Sequence, residues 1–180
     1  MKIVIVCYPT FGGSGVLATE LGHKLAKMGH EIHFIAYQMP VRLVPDNESV
    51  YFHKVNVPFY PLFNFQPYEL ALSSKLVDVC IKYSIDLIHV HYAIPHAYAA
   101  YMAKKMLASE KLNIPIVTTL HGTDITLVGK HPFYKPAVKF SIENSDVVTS
   151  VSESLKNSTI DFFDVNKEIT VVPNFVDLAK

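Results

Sequence analysis

The chain lacks an excess of charge of either sign. Lys plus Arg and Asp plus Glu are sixteen each, so no overall field favours a polyanion. No basic cluster with interleaved aromatics is present either, which argues against nucleic acid as a partner. Cysteine is scarce, with only two residues, Cys7 and Cys80, and neither lies in metal or redox spacing such as C-x-x-C. Both fall in apolar contexts and read as reduced, buried small residues. Long apolar runs are missing too. The opening run Ile3 to Val6 is too short for the core of a signal peptide or for a membrane span, and no later run reaches that length. A cytoplasmic location without an integral membrane segment is the expectation.

What is present is a chain of 180 residues, half of them hydrophobic, enough to bury the core of one domain of common size. Apolar runs of strand type alternate with helical periodicity. Lys2 to Tyr8 reads as a strand, Ser14 to Met28 as a helix with Gly29 at its C-terminal end, and Glu31 to Tyr37 as a second strand. Gln38 to Ser49 reads as a loop and Val50 to Val57 as a strand. Residues 58–67 carry three prolines and four aromatics. They cannot form a regular helix and are expected to be a packed loop, a core segment or the wall of a pocket. Tyr68 to Ser84 is helical, Asp86 to His91 a strand, Pro95 to Ser109 a helix, and Ile116 to Leu120 a strand. Pro132 to Asn144 follows as a helix, Asp146 to Val151 as a strand, Ser152 to Phe163 as a helix capped by Ser152, and Glu168 to Val172 as a last strand. This alternation predicts an α/β, Rossmann-like, doubly wound parallel sheet.

In such a sheet ligands collect beyond the carboxyl ends of the strands, and two turns stand there. The first is Tyr8-Pro9-Thr10-Phe11-Gly12-Gly13-Ser14-Gly15, the second Thr119-Leu120-His121-Gly122-Thr123-Asp124. Gly13-Ser14-Gly15-Val16-Leu17-Ala18 fits G-x-G-x-x-A between a strand and a helix. However, Gln38 rather than an acidic residue follows the second strand, which weakens a nicotinamide reading. No Lys-Ser or Lys-Thr follows the glycines, which disfavours a P-loop. A turn remains whose amides, with the helix dipole, can hold a phosphate, a carboxylate or a sugar oxygen. Tight packing alone would also explain its glycines.

His89, His91, His96 and His121 invite a zinc reading. Without obvious carboxylate partners or H-E-x-x-H, they read instead as hydrogen-bonding groups. His121 can present a neutral imidazole beside backbone amides. Tyr92 offers a phenol, Lys139 a cation for an acidic small molecule, and Asp124 either a general base or a carboxylate that caps its own turn.

These residues are familiar together. The glycine turn, Ile88-His89-Val90-His91-Tyr92-Ala93-Ile94-Pro95-His96-Ala97, Thr118-Thr119-Leu120-His121-Gly122-Thr123-Asp124-Ile125-Thr126 and Ser150-Val151-Ser152-Glu153-Ser154-Leu155 resemble the N-terminal half of the retaining GT-B glycosyltransferases of the family 4 type. The His-Tyr-Ala-Ile-Pro-His-Ala and Leu-His-Gly-Thr-Asp-Ile-Thr segments resemble most the branch of bacillithiol biosynthesis that transfers N-acetylglucosamine from UDP-GlcNAc to L-malate.

The resemblance implies that residues 1–172 form the acceptor-side domain and that 173–180 start an inter-domain linker. A donor-binding C-terminal domain would lie outside this chain. It implies that Gly12, Gly13, Ser14 and Gly15 approach the donor diphosphate, that His121 contacts the sugar as the catalytic histidine, and that Tyr92, Thr119, Thr123 and Lys139 surround malate. At Lys139 related enzymes often carry arginine, so a bidentate contact is lost. It implies no metal cofactor, and small-molecule substrates as partners. Another acceptor (a polysaccharide, a lipid-linked sugar or an inositol phosphate) and a noncatalytic nucleotide-binding module are the alternatives. Whether the chain forms a homo-oligomer is left open.

Overall fold

β1 (Lys2–Val6) is apolar from Ile3 onward because it is covered on both faces there. Val4 and Val6 pack to one side against Leu72, Leu76, Ala99 and Ala103. Ile3 and Ile5, with Cys7 beyond the strand's end, pack to the other against Ala18 and Phe34. This two-sided burial characterises a parallel sheet clothed by helices. A computed structural model describes residues 1–46 and 48–175, and the last residues of the expected linker, 176–180, lie outside the described residues.

Around β1 stand β2 (Glu31–Ala36), β3 (Val50–Lys54), β4 (Leu87–His91), β5 (Ile116–Leu120), β6 (Val147–Ser150) and β7 (Ile169–Val171). They form one seven-stranded sheet in the order β3-β2-β1-β4-β5-β6-β7, and every described pairing is parallel. The expected doubly wound architecture is therefore present. The winding reverses between β1 and β4, and the ends of β1, β4 and β5 deliver the glycine turn, Tyr92 and His121 side by side.

The helices are α1 (Gly13–Lys27), α2 (Tyr68–Tyr83), α3 (Tyr98–Ser109), α4 (Lys135–Glu143) and α5 (Glu153–Phe163). Gly29 follows α1 with φ +88°, and Ser152 caps α5, its Oγ accepting from the Leu155 amide at 3.2 Å. A third core cluster joins Leu120 and Val148 of the sheet to Val138 and Ile142 of α4 and Phe163 of α5.

Four expectations are corrected. The helix read from Pro95 begins only at Tyr98, because Ile94 is extended (φ −131°, ψ 143°) and Ala93–Ala97 forms a separate wide turn with a cis Ile94–Pro95 bond. The residue before a proline avoids the helical region. The helix read from Pro132 begins at Lys135. Pro136, not Pro132, occupies the favoured first-turn position, and a turn from His131 to Tyr134 precedes it. The strand from Val50 ends at Lys54, ahead of Pro58. Finally, the aromatic segment is not packed in the core. Phe59, Leu62 and Phe65 are 78%, 80% and 90% exposed, and they line no described pocket. With a proline every few residues the backbone lacks the regular period needed to turn one apolar face inward.

Candidate functional site

The glycine turn reaches the crevice because α1 starts directly against the end of β1. A Cβ at Gly15 would collide with the Tyr8 carbonyl oxygen and stand 2.8 Å from that of Thr10, whereas at Gly13 nothing lies within 4 Å. Gly15 is thus needed for close packing, and Gly13 leaves its side open to a ligand. No side chain caps α1 at Gly12; the Gly15 amide donates to the Gly12 carbonyl oxygen at 3.1 Å, and the Gly13 and Ser14 amides ahead of it remain available as donors.

Ser14 and Tyr92 join the turn to the end of β4, their hydroxyls 2.8 Å apart. Tyr92 itself has φ +87°, an unusual backbone conformation for a bulky residue and one that often accompanies a functional position. Asp124 makes the second tie. One carboxylate oxygen accepts from the amides of His121 (3.3 Å) and Gly122 (3.0 Å), the other from the amide of Ala93 (2.9 Å). Gly122 has φ +113°, which turns its amide toward that carboxylate with no Cβ in the way. Of the two readings of Asp124, the turn-capping one describes the structure. Burial raises its pKa, and the accepted amide hydrogens oppose that rise.

Between these loops lies a pocket of about 800 Å³ lined by Tyr8, Tyr68, Tyr92, Tyr98, Thr123 and Tyr134 among others. It is a common size for a small-molecule site. Its lining includes the acidic Glu69 and Asp124 and no Lys, Arg or His. Tyr68 carries a buried hydroxyl with no hydrogen-bond partner among the described residues, and burial raises its pKa.

The histidines form a stack behind the crevice. His91 Nδ1 and His121 Nε2 are 2.8 Å apart. His89 stacks on His91 at 4.7 Å between ring centroids, and His96 donates from Nδ1 to the His91 carbonyl oxygen. Burial pushes His89, His96 and His121 down to about 4 and His91 well below its ordinary range, so all four are neutral near pH 7. Among the described residues no group of three or more His, Cys, Asp or Glu side chains is arranged to hold a metal ion. No described helix is long and apolar enough to cross a membrane. Cys7 and Cys80 are buried and free, and burial pushes both thiols up to about 12.

Of the residues read from the sequence, Tyr92 and Thr123 line the pocket; Ser14, in the turn with Gly12, Gly13 and Gly15, and His121 adjoin Tyr92, the one by its hydroxyl and the other by its ring at 5.2 Å between centroids. Thr119 sits one layer deeper, its hydroxyl 2.8 Å from both His89 Nε2 and Thr149 Oγ1. Lys139 is not brought to the pocket. Its ammonium donates to the Asp164 carbonyl oxygen at 2.7 Å and lies 3.8 Å from the Glu143 carboxylate. Tyr68, Tyr98 and Tyr134 were missed as pocket residues because isolated tyrosines carry no spacing signal.

The sequence model of "Glycosyltransferase Family 4" matches residues 11–180. The chain belongs to glycosyltransferase family 4. One family relative, the N-acetyl-alpha-D-glucosaminyl L-malate synthase of Bacillus anthracis, is 52% identical over 98% of this chain and 46% of its own length. Another, an uncharacterized glycosyltransferase of Methanocaldococcus jannaschii, is 30% identical over 94% of this chain and 48% of its own. The chain thus spans about half the length of these relatives. Among solved structures, a glycosyltransferase from Rickettsia africae superposes with TM-score 0.69 at 19% identity, covering 98% of this chain and 43% of that one. The galactosyltransferase WaaB of the lipopolysaccharide outer core superposes with TM-score 0.67 at 14% identity, covering 99% and 47%. These likenesses establish the family 4 chain as having the Rossmann-like fold of GT-B glycosyltransferases.

Proposed function

We propose that residues 1–172 are the acceptor-side domain of a retaining glycosyltransferase that moves N-acetylglucosamine from UDP-GlcNAc to the hydroxyl of L-malate. A linker from residue 173 would lead to a donor-binding domain. The observation that carries this reading is the 52% identity, over 98% of the chain, to a relative named for that product. The crevice supports it. First-turn amides of α1 and the open side of Gly13 suit a diphosphate. Tyr92 and Thr123 offer hydroxyls to the acceptor, and His121 a neutral imidazole to the sugar.

In this mechanism the malate hydroxyl attacks the anomeric carbon on the face from which UDP departs. The new C–O bond forms as the bond to the phosphate oxygen breaks, and the hydroxyl proton passes to that departing oxygen. Fixed donors at the α1 terminus stabilise the charge developing on the diphosphate, ordinarily the largest electrostatic contribution to such a step.

A second reading, a family 4 transferase with a less acidic acceptor, is favoured by the lack of a Lys, Arg or His side chain in the pocket lining. Product formation by the protein carrying this chain and its C-terminal continuation, followed by mass spectrometry with UDP-GlcNAc and malate, separates the two. A malate-dependent GlcNAc adduct is expected. UDP-GlcNAc binding without an adduct would transfer support to the second reading.

A further inference from the structure

We infer that His91, buried one layer below the crevice, is a positioning residue that holds His121 in the tautomer with its proton on Nδ1, making His121 a hydrogen-bond donor rather than a base. The inference rests on the proposed glycosyl transfer only for its functional consequence. Its structural content stands by itself.

The argument is one of counting protons. A neutral imidazole carries one N–H, and the 2.8 Å contact between His91 Nδ1 and His121 Nε2 requires one nitrogen to donate and the other to accept. If His121 donated from Nε2, His91 would accept at Nδ1 and carry its own proton on Nε2. That atom is buried and has no partner among the described residues. A buried N–H without an acceptor is among the rarest defects of folded proteins. The opposite assignment leaves a bare lone pair there, and His91 Nδ1–H donates to His121 Nε2. His121 must then carry its own proton on Nδ1.

The same pattern repeats next door. His96 Nδ1 faces the His91 carbonyl oxygen, which can only accept, so its proton is on Nδ1 and its buried Nε2 is likewise bare. Two adjacent buried histidines therefore share one tautomer, in surroundings that offer their Nε2 atoms no acceptor.

Neighbouring groups do not supply a competing proton or charge. His89 stacks on His91, and its Nε2 is engaged with the Thr119 hydroxyl. Tyr8 lies 4.6 Å from the His96 ring and Tyr92 5.2 Å from that of His121. The Asp124 carboxylate is directed at the backbone amides of His121, Gly122 and Ala93. His121 is only partly buried, and its ring lies against that of Tyr92, which lines the pocket. A sugar or phosphate oxygen, which can accept, fits such a donor. A protonated imidazole is not required.

Long-range proton–nitrogen NMR of the chain labelled with 15N-histidine tests this directly, with His91→Asn and His121→Asn spectra used for assignment. His91 and His121 are both expected to show protonated Nδ1 and bare Nε2 at pH 7. A proton on Nε2 of either ring overturns the inference. In the longer protein, His91→Leu is expected to lower kcat for GlcNAc transfer at least tenfold with little change in KM for the acceptor. His91→Asn, whose amide nitrogen can stand near the Nδ1 position, should recover most of that loss. Equal losses in folded Leu and Asn variants would overturn the positioning role. Absence of transfer in the unsubstituted protein would overturn the proposed reaction, while the tautomer is still read from the spectra.

Discussion

Asp124 bears more of the site than its exposure suggests. Its two carboxylate oxygens accept three backbone amides from two loops, so removing it leaves buried donors without partners rather than merely deleting a charge. Asp124→Ala is expected to destabilise the fold by about 3 kcal/mol, read as a lowered midpoint of urea unfolding. Asp124→Asn, which retains one accepting oxygen, should lose less. Tyr92→Phe is a gentler test. It frees the Ser14 hydroxyl and is expected to cost only about 1 kcal/mol in stability, while weakening acceptor binding, which titration calorimetry would register. Were Tyr92→Phe to destabilise the chain as much as Asp124→Ala, the phenol would be a structural tie rather than a ligand group.

At the scale of elements, the junction between β1 and α1 is a tight backbone-to-backbone fit. A methyl group at Gly15 meets the carbonyl oxygens of Tyr8 and Thr10, both backbone atoms that cannot rotate away. Gly15→Ala is expected to cost about 1–3 kcal/mol and to displace the α1 terminus, whereas Gly13→Ala faces open space and should fold normally. Thermal denaturation of the two variants checks the contrast, and equal midpoints would contradict it.

This junction also shows what was legible in the sequence. Among the described residues, strand and helix periodicity located β1 to β7 and α1 to α5 to within a few residues but not the short helical turns Thr123–Leu127 and Val128–Lys130, and the polar turns at the ends of β1 and β5 pointed to the crevice. What periodicity did not reveal was set by tertiary partners. Asp124 could be read as a base or as a cap until Ala93 was found to share it. Lys139 looked free until Asp164 was found beside it. The apolar segment 58–67 suggested burial, although nothing in its pattern showed where a partner surface would come from.

Across the whole molecule, histidine is distributed unusually, with neutral groups locked on both sides of β1. Besides the crevice stack, His33 lies fully buried between Glu31 and His53, bonded to each at 2.8 Å. Burial lowers the His33 pKa and pushes His53 down to about 4. Between the ordinary value of 6.5 and about 4, the unfolded chain therefore binds protons that the folded chain refuses. Stability should be fully present above pH 6.5 and fall as the pH drops through this window, with a slope of up to about 1.4 kcal/mol per pH unit for each such histidine. Urea midpoints at a series of pH values would reveal this loss, and a flat profile from pH 7 to 4 would contradict the buried neutral assignments. The 180-residue chain is further expected to bind acceptor or UDP-sugar weakly and to show no turnover alone. Robust transfer by it would refute the proposed division of labour between two domains.

The edge of the sheet carries one more consequence, for how copies of this chain meet each other. β3 is an outer strand, and an uncharged apolar stretch leads away from it, a combination that ordinarily invites neighbouring molecules to add strands and grow fibrils. Here β3 is only five residues long and ends in Lys54. The stretch beyond it contains Pro58, Pro61 and Pro67, none of which has an amide hydrogen to extend a ladder. Encounters at this surface are expected to stop at loose, reversible clustering, because the same prolines that keep the aromatics outside also deny them a template for ordered aggregation.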